Sequence, residues 1–308
     1  MTPDSALIVI RSFIYADLLL LFGLALFGLY GLGTVHEALR VLPLRSSLFL
    51  LATAGIALSF MHLAAMAAAM AGTDLWPPNL PHMTMLIQMG GTGTAFILRF
   101  ISLVLIFPLV LTLRFRPTAS LAALCACAGV AVGTLAWAGH GAMQSDGSFA
   151  VHLIADIIHL LAAGGWIGAL CALLFMLFRP ERVKDGAQIN QLASALQAFA
   201  GNGTLLVGTV VATGIINVWS VVGWAHLGNL PDGAYGRLLA AKLVLFLAMF
   251  GLAGSNRLWL VPALDRARQS GDKRHAVKAL RLSLVIESAC ALMILALVAA
   301  LGLLAPPR

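Results

Sequence analysis

The chain has 308 residues, of which 61% are hydrophobic and only 10% charged, with a formal net charge of +7 and a mean hydropathy of +0.97. Soluble domains carry about 25% charged residues, so a water-soluble fold is excluded. Apolar runs of about 20 residues point to membrane helices, because the strands of membrane barrels give alternating segments of only about 10.

The expected fold is an all-α polytopic bundle with eight transmembrane helices, at roughly 10–34, 46–71, 84–113, 119–139, 149–178, 199–222, 236–258 and 280–304, forming a single domain over 1–308. Residues 1–10 lack a basic n-region and a small-residue cleavage site, so the first apolar run is expected to be a retained helix. The four cysteines, Cys125, Cys127, Cys171 and Cys290, all fall inside apolar runs, which argues against a disulfide framework. No nucleic-acid signature is visible.

The loops set an orientation. Arg40 and Arg45 follow span one, Arg114 and Arg116 follow span three, and Arg179, Arg182 and Lys184 follow span five. The largest group follows span seven: Arg257, Arg266, Arg268, Lys273, Arg274, Lys278 and Arg281. The alternate loops 72–83, 140–148 and 223–236 hold almost no basic residues. By the positive-inside rule the basic loops face the cytoplasm and both termini are periplasmic, with Arg11 a mild exception near the outer interface. A short amphipathic surface helix is expected within the inner loop 258–280.

The outer loops carry Trp76-Pro77-Pro78-Asn79-Leu80-Pro81, which cannot be helical throughout. Six of the eight histidines (His62, His82, His140, His152, His159, His226) and seven of the eleven methionines (Met61, Met66, Met70, Met83, Met85, Met89, Met143) fall at or near this side. Thioethers suit soft Cu(I), and imidazoles suit either oxidation state of copper.

Span two ends with His62, Met66 and Met70, four residues apart and so rotated by only about 40° per step on a helix. His82, Met83, Met85 and Met89 follow the proline-rich loop, and His140 and Met143 close span four. Span five opens with His152, Asp156 and His159 on one helical face. The two histidines lie roughly 10 Å apart along the axis, too far for one ion whose bonds are about 2 Å. They are expected to act at different depths, with Asp156 orienting an imidazole. Asp17, Arg99, Asn217, Lys242 and Glu287 are further polar groups at membrane depth, and Arg99 is expected to pair with a carboxylate.

The segment from His152 to Leu170 reads HLIADIIHLLAAGGWIGAL, the segment from Arg237 reads RLLAAKLVL, and Ser255 opens SNRLWLVPAL. These resemble the His…His-x-x-Ala-Ala-x-x-Trp-x-Gly-Gly-x-Leu, Lys-Leu and Asn-Arg-x-x-x-x-Pro elements of the CopD/PcoD copper-resistance membrane proteins, over roughly 135–304, with alanine in place of the second glycine after Gly168. The resemblance implies a protein of the bacterial inner membrane that handles copper, moving it from periplasm to cytoplasm, beside a small CopC-like periplasmic carrier.

The expected function is therefore copper transport or handling, as Cu(I) or Cu(II). The expected metal ligands are His62, Met66, His82, Met83, Met85, His140, Met143, His152, Asp156 and His159. No catalytic constellation and no ATP-binding loop is visible, so the chain is not expected to be an enzyme. Two other readings stay open. In one, the histidines are axial ligands of a b-type haem in an electron-transfer protein. In the other, the chain is a non-transporting copper sensor or docking subunit.

Overall fold

The computed structural model describes residues 3–138, 148–178, 186–223, 233–263, 266 and 274–304. Among the described residues there is no strand. The helices are α1 (Pro3–Tyr30), α2 (Val35–Val41), α3 (Leu44–Ala71), α4 (Leu80–Gln88), α5 (Gly90–Thr112), α6 (Pro117–Gly133), α7 (Ser148–Phe178), α8 (Gly186–Val222), α9 (Ala234–Ser255) and α10 (Arg274–Leu301). A 3-10 turn, Thr134–Ala138, extends α6, and a π-helical turn, Asn256–Leu260, extends α9. Among the described residues eight helices are long and apolar enough to cross a membrane: α1, α3, α5, α6 with its 3-10 turn, α7, α8, α9 with its π turn, and α10.

Two short helices interrupt the expected pattern. The first span ends at Tyr30, where Gly31 and Gly33 break it, and α2 follows, capped by the Thr34 hydroxyl accepting from the Glu37 N–H. A span over 84–113 does not form as one piece. Helix α4 starts at Asn79, whose side chain accepts from the His82 N–H, and ends at Met89, whose extended backbone separates it from α5. Helix α8 begins at Gly186, well before the expected 199. The surface helix expected within 258–280 falls partly on residues 264, 265 and 267–273, which lie outside the described residues.

The bundle is organised around α1, which packs against α3, α6, α7 and α10. The tightest approach is between α1 and α7. A Cβ on Gly23 would stand 2.0 Å from the Gly164 carbonyl oxygen, and one on Gly168 would stand 2.1 Å from the Gly23 carbonyl carbon. Two glycines one turn apart on α7 thus let the two backbones touch. Small residues at four-residue spacing allow this inside membranes, where lipid tails remove any hydrophobic drive between helices. Burial follows the same arrangement: 67% of the apolar window of α7 is buried against 11% of that of α9.

Arg11 is buried within the bundle, and its guanidinium donates to the Gly302 carbonyl at 3.3 Å, close to the end of α10. The beginning of α1 and the end of α10 therefore share one face of the bundle, together with the loop 72–79. This is called the proline-rich face below, and the opposite one, with α2 and the loop 113–116, the basic face.

Two glycine substitutions separate contact from helix propensity. Gly168→Ala forces backbone against backbone and is expected to cost about 1–3 kcal/mol, as overpacking does. Gly208→Ala on α8 meets open space and is expected to be neutral or stabilising by up to about 1 kcal/mol. Thermal unfolding of the two variants in detergent checks both; equal melting temperatures would contradict the close approach.

Candidate metal centre and intramembrane polar groups

The functional side chains fall into two groups. The first lies at the proline-rich end of α3, α4 and α5. His62 and Met66 line a cavity of about 20 Å³ with Leu63, Thr92, Ala95, Phe96, Arg99, Thr134 and Trp137. A space of that size holds about one water or a small ion. Met66 and Met83 both pack against the buried cluster Leu63, Ala67 and Leu86, so a second thioether approaches from α4. Along α3 the stripe runs outward as its spacing requires: His62 is buried, Met66 half-buried and Met70 exposed. Trp137 closes the cavity, and the residues after Ala138 carry His140 and Met143, which lie outside the described residues.

Arg99 forms one wall of this cavity. Its Nε donates to the Thr134 hydroxyl at 2.8 Å and its Nη2 to the Thr134 carbonyl at 3.3 Å. The expected carboxylate partner is absent among the described residues. The hydroxyl and carbonyl of Thr134, the first residue of the 3-10 turn, solvate the guanidinium instead, without a countercharge among the described residues. That charge and the charge of Arg11 both act on His62. Tyr15 of α1 lies near Arg11, Arg99 and Asp156, so α1 passes beside both groups.

His82 is half-buried, with its Nδ1 2.9 Å from the Asn79 side-chain oxygen. Met85 and Met89 are 49% and 44% exposed, on the rim and not in the cavity. An open cup of about 520 Å³ lined by Thr73, Asp74, Trp76, Pro77, Pro78, Asn79, Leu80 and Pro81 lies beside them.

The second group lies between α7, α8 and α9. Asp156 accepts from the Asn217 side-chain amide at 3.2 Å, and His159 Nδ1 is 2.9 Å from the Thr213 hydroxyl. Lys242 of α9 acts electrostatically on both Asp156 and His159. The pair on α7 is thus matched by a pair on α8, and the hydrogen bonds described for Asp156 run across the interface and not to its own helix. His152 is buried one turn nearer the proline-rich face. His159 and Lys242 open onto a largely apolar cavity of about 400 Å³ that includes Trp166, Phe246 and Met249.

Thr134, Thr213 and Tyr15 were not readable as site residues from the sequence. Thr213 and Asn217 sit one turn apart on α8, facing a carboxylate and an imidazole three apart on α7; that reciprocal spacing is the signal available in sequence. Among the described residues no three of His, Cys, Asp or Glu gather closely enough to hold a metal ion. His226 lies outside the described residues, and the four cysteines are free thiols.

Residues 1–151 match the family model for the copper resistance protein D-like N-terminal domain, and residues 193–301 match that for copper resistance protein D. The copper resistance protein D of Pseudomonas syringae pv. tomato is 39% identical over 307 residues, covering 98% of this chain and 97% of the relative. The inner membrane protein YebZ of Escherichia coli (strain K12) is 28% identical over 272 residues, covering 86% of this chain and 87% of the relative. No solved structure matches. The likeness thus extends through the N-terminal half, which holds His62, Met66 and Arg99, beyond the 135–304 suggested by the sequence motifs. The chain is a multi-pass membrane protein with a copper-related role, and it belongs to the copper resistance protein D family.

Proposed function

We propose that this chain carries copper across the bacterial inner membrane from periplasm to cytoplasm, taking it up as Cu(I) at the proline-rich face. The observation that carries this reading is the meeting of His62 and Met66 on one small cavity with Met83 beside the same apolar cluster. An imidazole with two thioethers is a soft donor set. Arg99 supports the lower oxidation state, since repulsion from its guanidinium acts on one charge for Cu(I) and on two for Cu(II). His140 and Met143, which follow Trp137 in the sequence, are the further ligands that this reading assigns.

His82, Met85 and Met89 on the rim, next to the exposed Trp76, form the receiving surface for a CopC-like periplasmic carrier. Deeper in the bilayer His152, Asp156 and His159 relay the ion. Each must replace water that hydrocarbon does not offer. The Asp156 carboxylate offsets the neighbouring Lys242, so the relay is not dominated by one positive charge. Inward movement of one positive charge is favoured by about 2.3 kcal/mol per 100 mV of inside-negative potential. The asymmetry of basic loops supports periplasmic termini, and the bond from Arg11 to Gly302 agrees with both being on one side.

Purified protein titrated with Cu(I) against a competing chelator is expected to lose roughly ten- to a hundredfold in affinity in each of His62→Ala, Met66→Ala and Met83→Ala, the range seen when metal-site residues are changed. Unchanged affinity in all three would remove the capture site, and a Soret band in the same preparation would favour the haem reading. Orientation has its own check: epitope tags on either end of the chain are expected to be cleaved by protease added to intact spheroplasts. Protection of either tag would reverse the direction assigned here.

A further inference from the structure

A second set of buried polar groups lies away from the Met/His cavity. Glu287 of α10 is fully buried, at 0% exposure. One of its oxygens accepts from the Asn256 side-chain amide, and Trp166 lies beside it. Its Oε2 and the Oδ1 of Asn256 have no hydrogen-bond partner among the described residues. Asn256 opens the π-helical turn. Such turns are rare and frequent at functional sites.

The surroundings give this carboxyl a position on a path. The cavity holding His159 and Lys242 runs along residues 210–218 of α8 and 239–249 of α9. A second cavity, of about 420 Å³, runs along residues 196–207 of α8 and 250–261 of the α9 segment and holds Thr204, Asn256 and Arg257. The two are stacked along the bundle, one toward each face, and Trp166 lines both. Phe246 meets the Trp166 ring edge to face, with centroids 6.3 Å apart, so an aromatic pair marks the boundary. Leu284 of α10 borders the basic-side cavity and Ala291 borders the other, so Glu287 sits between them on the same helix.

The charged groups nearby are otherwise occupied. Arg257 donates to Thr204. Arg281, on the same helix as Glu287, donates to the Leu177 carbonyl at 2.7 Å and covers the Phe178 ring. His159 is held by Thr213, and Lys242 faces Asp156. An ionised carboxylate with no cation beside it is costly in hydrocarbon. Its unfilled Oε2 is a hard acceptor, suited to a proton and poorly suited to Cu(I).

We propose that Glu287, braced by Asn256 and Trp166, is a proton-exchange site at the junction of the two cavities. The carboxylate takes a proton on Oε2 from one cavity and releases it to the other, with no change in redox state. The assignment of this junction to the copper path rests on the transport reading above; proton exchange at Glu287 does not.

A hydrophobic carbodiimide tests the site in the full-length protein, because it converts a protonated carboxyl in an apolar setting to a stable N-acylurea. Tryptic cleavage after Arg281 gives a peptide, residues 282–308, in which Glu287 is the only acidic side chain. Mass analysis is expected to show labelling of this peptide at low pH. Labelling should fall by roughly tenfold for each pH unit beyond the titration and vanish in Glu287→Gln. No labelling at any pH, or labelling independent of pH, overturns the proposal. In proteoliposomes Glu287→Gln is further expected to flatten the pH dependence of Cu(I) uptake, and a wild-type pH profile in that variant also overturns it. A protein that labels as expected yet moves no copper would sustain the proton site and refute the transport reading.

Discussion

The contact on which the other helices depend is the meeting of backbones at Gly23, Gly164 and Gly168. Inside a bilayer, lipid tails are as apolar as leucine, so helices gain by packing closely and not by escaping solvent. Removing three side chains lets α1 and α7 approach until main-chain atoms touch. That approach sets α1 in the middle of the bundle, against α3, α6 and α10 as well. It also fixes the rotation of α7. The glycine face turns to α1, while Asp156 and His159 turn to α8 and Trp166 to the cavities between α8, α9 and α10.

Buried charge in this protein is managed largely with neutral partners. Arg99 is solvated by Thr134, Glu287 by Asn256, and Asp156 by Asn217 with Lys242 close by. Lys242 and Asp156 offset each other, but a neutral partner satisfies hydrogen bonds without cancelling charge, so the field of Arg99 remains. At His62 that field is positive, which weighs against a divalent ion and less against a monovalent one. Both polar groups border α1, where Tyr15 lies near Arg11, Arg99 and Asp156.

Much of the architecture was legible in the sequence because the bilayer permits few solutions. Eight apolar runs became eight spanning helices, and the apolar character of each run needed no tertiary information. The segments that departed, α2 and α4, are short helices at the ends of spans. There, capping by Thr34 and Asn79 decides the boundary, and hydropathy alone does not register it. At the site, the stripe of His62 and Met66 was readable from four-residue spacing. The approach of Met83 was not, since it depends on how α4 folds back onto α3. The partner of Arg99 was misread for a physical reason: charge suggests a countercharge, whereas the hydroxyl and carbonyl of Thr134 serve instead. Asn256 was visible only as part of a motif; its bond to Glu287 joins residues 31 apart and leaves no local pattern.

The central claim is that imidazole and thioether groups share one copper ion at the proline-rich end of α3 and α4. X-ray absorption spectroscopy of the purified protein loaded with one equivalent of Cu(I) tests it most directly. The account requires a mixed coordination shell of nitrogen and sulfur, with the sulfur contribution reduced when Met66 and Met83 are both replaced. A shell of nitrogen and oxygen alone, or a sulfur signal indifferent to those two methionines, would contradict it.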